Sequence, residues 1–501
     1  MTNQQIIDYI KGSLKEGLGK EVVKNNLITN GWPIQDVDEA FQSLEPTSIL
    51  PPKKRKWLKI ILIIIGVIIL LGAIIYCLPA ILSLFSKDIT PIDDSDLQLQ
   101  TISIPESDNA YYDVSNGSKL DGAIYLSEDE NSLVYDHLFG RKWDDKFVKD
   151  ILSKNATALV YFTLSDSKPK FQAPEFADPD KISYEKPPVP YISLRAASRL
   201  NALSALYLAK YGYYKEGLDL AFNSIELGQK MEKSQEPLLN YLTAIGIKNL
   251  GMETVQKILN YSIPSNTLFQ YSKQFDGFNK NVKGLKSAFK MEYLVESKLI
   301  DLIHNGNQDA INSFGSDKIS QTDLQNKAKN NFYFQPNNTK ELFADWARLN
   351  INNVDKRCGY LDKFELKNPI VANASSSIPW SVVKSYFTEN AVGKLVSEII
   401  IIDLTGANYR RCENELLISA TKLMFAIKTY KINEGKLPNF LADLIPKYIT
   451  EIPMDPYSGG QLKYSADKKI IYSVGRDLID LGGSEGDDWR QMQNPMFKID
   501  F

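Results

Sequence analysis

The chain has 501 residues, 44% of them hydrophobic and 24% charged, with a formal net charge of −3. That balance supplies no field to gather nucleic acid, and the composition is that of a folded protein. With two histidines, three cysteines and no CxxC pair, a zinc site built on thiolates is not expected.

Residues 1–45 predict a small helical head. Ile6, Ile7, Ile10 and Leu14 recur at helical spacing. Val22, Val23 and Leu27 mark a second helix after Gly19, with Gly31 as its stop. Pro33 suits the first turn of a third, which carries Val37, Ala40, Phe41 and Leu44. Three short helices at a Gly31-Trp32 corner resemble the ubiquitin-associated type of module; the plainer reading is a stable knob packed on Trp32. Pro46, Pro51 and Pro52 make 46–56 a stiff linker ending in a basic cluster.

No charge interrupts the chain from Ile60 to Ser86. About 20 apolar residues cross a hydrocarbon core as a helix, so 57–86 predicts one transmembrane span with Pro79 near its end. Lys53, Lys54, Arg55, Lys56 and Lys59 precede it; Asp88, Asp93, Asp94 and Asp96 follow. The basic flank stays in the cytoplasm. The expectation is a plasma-membrane protein with a cytoplasmic N-terminus and residues 87–501 extracytoplasmic. The partner of Lys53–Lys56 is then the lipid bilayer rather than nucleic acid. A cleaved signal peptide, the rival reading, would need a shorter start and a shorter apolar core.

The fold class expected is mainly α. Residues 87–190 read as mixed and partly helical, with a short strand at 97–104, a helix at about 143–164 and an extended, proline-punctuated crossing to Pro190. Residues 191–408 read as a helical bundle. Leu200, Leu203 and Leu206 belong to one helix broken by Gly212; Leu218, Ala221 and Ile225 to a second; Leu238–Ile258 to a third. Gly212 to Gly217, with Ala221 and Ile225 following, resembles half of a tetratricopeptide repeat, whose small residues let helices approach closely. With a single copy, a bundle is expected rather than a solenoid. A further helix falls near 282–304, and the Asn-, Gln- and Ser-rich stretch 305–340 reads as a loop.

In residues 409–501, Leu416, Ala420, Leu423, Met424 and Ile427 share one helical face up to Asn433-Glu434-Gly435. Pro446, Pro453, Asp455 and Pro456 stiffen the connection to a hairpin, 461–465 with 469–474. The order helix, Asn-Glu-Gly-Lys-Leu-Pro, Ile-Pro-Met-Asp-Pro-Tyr, hairpin, Ser-Val-Gly-Arg-Asp, Gly-Gly, Asp-Asp resembles the globular part of type II secretion major pseudopilins. The stretch 109–501 also resembles an uncharacterised group of bacterial single-pass membrane proteins that join a helical domain to this ending. The apolar segment departs from a pilin's: Lys56-Trp57-Leu58-Lys59 precedes it and no glutamate lies within it. More than 300 residues separate it from the tail.

Asp477, Asp480, Asp487 and Asp488, with Gly482, Gly483 and Gly486, have the composition of a calcium loop, since Ca²⁺ takes 6–8 oxygens in tight glycine-shaped turns. The pseudopilin resemblance implies a structural Ca²⁺ there; the other reading is a solvated acidic turn. His137 and His304 lack partners at metal spacing. Asp144 with Asp145, and Asp93, Asp94 and Asp96, pose as paired carboxylates, though adjacent acids more often face solvent. Tyr207, Tyr211, Tyr213 and Tyr214 suit helix packing or a carbohydrate groove. Cys358 and Cys412 would pair in an oxidising space or remain buried thiols. No nucleophile elbow, P-loop or dinucleotide fingerprint occurs, so no catalytic residue is assigned. The expected function is a non-enzymatic membrane-anchored scaffold or binding protein. The alternatives are a sensor signalling through the head and a carboxylate-dependent hydrolase.

Overall fold

A computed structural model describes residues 4–45, 56–114, 120–140, 142–182, 190–278, 282–313, 321–366, 387–404, 406–486 and 488–501. Residues 46–55 of the expected 46–56 linker, and Asp487, lie outside the described residues. The chain divides into two units, residues 1–77 and 78–501.

The first unit contains α1 (Gln4–Lys15), α2 (Lys20–Thr29) and α3 (Ile34–Leu44). Their apolar faces meet as Ile6, Ile10, Val23, Leu27, Val37 and Ala40, with Trp32 packed against them. Gly31, at φ 90°, turns the chain between α2 and α3. Helix α4 (Lys56–Phe85) follows. It is apolar all round: the Ile60–Phe85 stretch has a mean hydropathy of 3.2 and none of its apolar window is buried. Among the described residues it is the one helix long and apolar enough to cross a membrane.

The second unit is mainly helical with a small antiparallel sheet near its end. Its helices in chain order are α5 (Tyr111–Val114), α6 (Glu128–Leu138), α7 (Asp145–Lys154), α8 (Ala156–Leu164), α9 (Tyr191–Lys210), α10 (Tyr214–Glu232), α11 (Leu238–Ile258), α12 (Ser265–Phe275), α13 (Val282–His304), α14 (Gln308–Ser313), α15 (Gln321–Ala328), α16 (Pro336–Val354), α17 (Ala391–Leu404) and α18 (Ala407–Glu434). Helices α9, α10 and α11 form the expected antiparallel array. Asn201 reaches Leu220 O at 2.6 Å and Ser224 Oγ at 2.9 Å, one contact that fixes the α9–α10 register.

Glycines set the closeness of these crossings. A Cβ on Gly228 would stand 2.6 Å from Ala244 O, and one on Gly251 2.8 Å from Ala221 O. Both obstacles are backbone and cannot swing away. Gly228→Ala or Gly251→Ala should therefore cost ~1–3 kcal/mol in denaturant unfolding, although alanine ordinarily gains about 1 kcal/mol over glycine inside a helix. Unchanged or raised midpoints would show that the helices are not this close.

Helix α18 lies along α11 and runs in the same direction. Asn414 bonds Asn249 Oδ1 at 2.6 Å, and seven residues on Gln256 bonds Thr421 Oγ1 at 2.8 Å. One hydrophobic core runs from Leu203, Ile225 and Val255 through Leu416 and Phe425 to Ile471 and Phe497. A second joins α13, α16 and α17, with Phe289 edge-on to the buried Trp346 at 5.5 Å. A third packs Ala110, Phe162, Phe171 and Phe176 on α9, α11 and α13, while α6 and α7 belong to the first.

Several expectations are corrected. The 97–104 stretch holds no strand; Ser95–Leu97 is a 3-10 turn. The helix expected over 143–164 is two, broken at the buried Asn155, whose side chain accepts from Tyr125 N at 2.7 Å and donates to Ile151 O at 2.9 Å. The expected loop 305–340 contains α14, α15 and the start of α16. The hairpin is β1 (Lys463–Ser465) against β2 (Ile470–Tyr472), shorter than expected, and β3 (Met496–Lys498) adds a third antiparallel strand. Helix α18 stops where expected, at Gly435 with φ 74°.

Candidate functional site

The acidic tail folds around two buried polar side chains. Asp455 accepts from Tyr457 N at 3.0 Å, Ser473 Oγ at 2.8 Å and Val474 N at 3.1 Å. Asn494 donates to Val474 O and Ile479 O, each at 2.8 Å, and accepts from Leu481 N at 2.6 Å. Gly475 is compulsory here, because a Cβ would lie 1.9 Å from Gln493 O.

Three of the four expected calcium ligands are described, and each is held by its own partners. Asp477 accepts from Ile479 N at 3.2 Å and from the Gln493 amide. Asp480 accepts from Gly482 N at 3.0 Å and pairs with Lys463 Nζ at 3.0 Å. Asp488 accepts from Arg490 N at 3.0 Å. The Gln493 amide holds the Asp477 carboxyl below the usual range, and the Lys463 ammonium does the same for Asp480. Among the described residues no three acidic, histidine or cysteine side chains come together as a metal set.

The tail turns a different face to the bundle. Arg490 pairs with Glu253 of α11, and Trp489 Nε1 donates to the same carboxylate at 3.2 Å. Beside this contact lies a groove of about 930 Å³, bordered by Tyr135, Phe139, Lys257, Trp489, Gln491 and Lys498. Lys257 donates to Leu138 O, and burial draws its ammonium below the usual value. The groove falls within the size range of ligand sites, with exposed ring edges and both signs of charge. A second cleft of about 550 Å³ separates α18, at Glu415 and Lys422, from Arg357 and Pro456.

The other candidates hold structure together. His137 is buried, with Nδ1 on Leu133 O at 2.7 Å and Nε2 accepting from Asp144 N at 3.0 Å; its ring stacks on Phe147 at 4.8 Å. That pattern describes the neutral Nδ1–H tautomer. His304 stands 6.0 Å from Phe334, ring to ring. Asp144 caps α7 through Lys146 N and Phe147 N, while Asp145 pairs with Lys210 at 2.8 Å. Tyr207 packs on Tyr211 at 4.9 Å, whereas Tyr213 is exposed.

The acidic flank after α4 is built into the second unit. Asp88 caps α16 through Asn337 N at 2.7 Å and Asn338 N at 3.0 Å. Asp94 accepts from Tyr293 OH at 2.7 Å, and Asp96 takes a two-point contact from Arg348 at 2.8 and 3.0 Å. Cys358 and Cys412 form a disulfide, while Cys77 is free.

Sequence reasoning missed the buried carboxyls. Glu236, Glu292 and Glu296 are 1%, 8% and 7% exposed. Burial pushes Glu236 up to about 8 and Glu292 to about 7; burial, with Glu292 alongside, holds Glu296 well above the usual range. A signal existed: Glu292 and Glu296 lie on the same helical face as the buried Phe289, Tyr293 and Ile300. No family model, curated protein or solved structure matches this chain.

Proposed function

We propose that this is a single-pass plasma-membrane protein whose residues 87–501 stand outside the cytoplasm as a non-enzymatic scaffold or binding body, in the class of surface or secretion machinery that its tail resembles. The observation that carries this reading is the pairing of Cys358 with Cys412, which follow the apolar Ile60–Phe85 helix in sequence while the basic cluster precedes it. Disulfides persist in oxidising compartments and are rare in the cytosol. The continuous core through α18 supports a rigid body rather than a chain of loosely joined modules. The groove beside Trp489 supplies a surface for a partner. His137, Asp144 and Asp145 serve caps, pairs and packing, which supports binding over catalysis. The pseudopilin likeness rests on the order of the sequence motifs. A structural Ca²⁺ in the tail would compete with Lys463 for Asp480, so saturable calcium heat abolished by Asp480→Ala would support it.

The test is thiol trapping in acid-quenched cells. Alkylation before reduction should reach Cys77 alone, and Cys358 and Cys412 only after reduction. Full alkylation of all three without reductant would overturn the extracytoplasmic reading.

A further inference from the structure

The loop 233–237, between α10 and α11, is where three parts of the second unit meet. Toward the 97–182 segment, Gln235 N donates to Gln172 Oε1 at 2.8 Å, Gln172 Nε2 returns to Gln235 O at 3.1 Å, and Gln235 Nε2 reaches Gln100 O at 2.8 Å. Asn109 clamps Gln172 from behind, at 2.7 Å to its carbonyl and 3.0 Å from its amide. Two carboxyls complete the junction. Glu236 Oε1 accepts from Ala173 N at 2.6 Å, and Glu292 Oε2, from α13, accepts from Leu238 N at 2.9 Å. Glu296 lies one turn beyond Glu292 on the same helix.

These acids have unusual company. The groups that act on Glu236 are the Ala173 amide and the Glu175 carboxylate; on Glu292, the Leu238 amide; on Glu296, Glu292. Tyr191 and Tyr111 share one core, and burial raises both phenols above their usual range, with Glu236 adding to each. No lysine or arginine among the described residues compensates the three. Glu236 Oε2 and Glu296 Oε2 are buried without a hydrogen-bond partner. Elsewhere the molecule pairs such groups: Glu232, equally buried, has Lys248 at 2.6 Å.

We propose that Glu236, Glu292 and Glu296 form a proton-operated latch that clamps residues 97–114 and 170–182 to the helical bundle when neutral and releases them when ionised. An unpaired buried carboxylate is costly, and two on adjacent turns repel each other as well. Opening the junction returns Glu236 to water and uncovers α13 around Met291, Leu294 and Val295, the turns that carry Glu292 and Glu296. Residues 97–114 and 170–182 share a core with α9, α11 and α13, and of them only Leu97 belongs to another core, whereas Leu126, Trp143, Leu159 and the residues of α6 and α7 pack into the core through α18. Release is thus confined to 97–114 and 170–182.

The sign follows from linkage. Each closed-state carboxyl binds its proton more tightly than in the open state, so latch stability is complete below about pH 4.5 and is lost as pH rises toward 7–8. One retained proton changes the opening equilibrium about tenfold per pH unit across that window.

The test is hydrogen exchange on the full chain in nanodiscs, expressed as protection factors so that intrinsic exchange cancels. Protection in 97–114 and 170–182 should fall at least a hundredfold between pH 5 and pH 8, while α18 stays constant. Glu236→Gln with Glu292→Gln should cut that slope to about the one proton Glu296 retains, because each amide keeps an acceptor and cannot ionise. Protection independent of pH in the native chain would overturn the latch. So would an equal loss in α18, or an undiminished slope in the double variant. Should the double variant fail to fold, Glu236→Gln alone must reduce the slope by about one proton, and an unchanged slope counts against the proposal.

Discussion

Lys248→Met should destabilise the 78–501 unit by about 3–5 kcal/mol, more than any surface substitution in this chain. Lys248 and Glu232 are 0% and 2% exposed, with Nζ 2.6 Å from Oε2, and they join α10 to α11 across the Gly228 crossing. Removing the ammonium leaves a carboxylate in the bundle interior. Burial already raises the Glu232 carboxyl despite that ammonium, so the variant's Glu232 will titrate higher still. A raised folded value means stability is present at low pH and lost as pH rises. The deficit should therefore be larger at pH 8 than at pH 5. Replacing both residues with apolar ones of similar volume, Lys248→Met with Glu232→Met, should recover most of the loss. Urea midpoints at the two pH values check this; a deficit below about 1 kcal/mol would mean that water reaches the pair.

The second large effect belongs to the disulfide. Cys358 follows α16, and its backbone N–H donates to Pro456 O at 2.9 Å; Cys412 sits in α18. The bridge spans a sequence separation of 54 residues. Closing a loop of that length in the unfolded chain corresponds to about 4 kcal/mol on the chain-entropy account. Cys358→Ser with Cys412→Ser should lower stability by that order, and reductant should bring the native chain to the same melting temperature. Cys77→Ser should leave it unchanged, since Cys77 is exposed and free. A native chain indifferent to reductant would show that the bridge contributes nothing.

How much of this was legible depended on which face of a helix carried the signal. Helices α9, α10, α11 and α18 were legible because Leu200, Leu203, Ile225, Leu416 and Leu423 repeat on one face, and because Gly212 and Gly435 mark stops. Helix α15 was not, since its Gln- and Asn-rich sequence carries no apolar stripe. Asn155 broke an apparently continuous helix through a bond to Tyr125, thirty residues away, which local periodicity does not encode. Strand β3 has three residues, too few to display alternation. The tail aspartates illustrate the same point. Their spacing suggested a common ligand, but Lys463 across the hairpin and Gln493 beyond the turn engage Asp480 and Asp477 separately. Glu292 and Glu296 were visible in principle as acids on an apolar face, and only their burial gives that position meaning.

The proposed function requires a single crossing at Ile60–Phe85 with the large unit outside. The direct measurement is labelling of wall-stripped cells with a membrane-impermeant maleimide, using Lys11→Cys or Lys436→Cys on a Cys77→Ser background. Both positions are exposed. A cysteine at 436 should be labelled in intact cells and one at 11 only after permeabilisation. Labelling at 11 in intact cells with protection at 436 would contradict it.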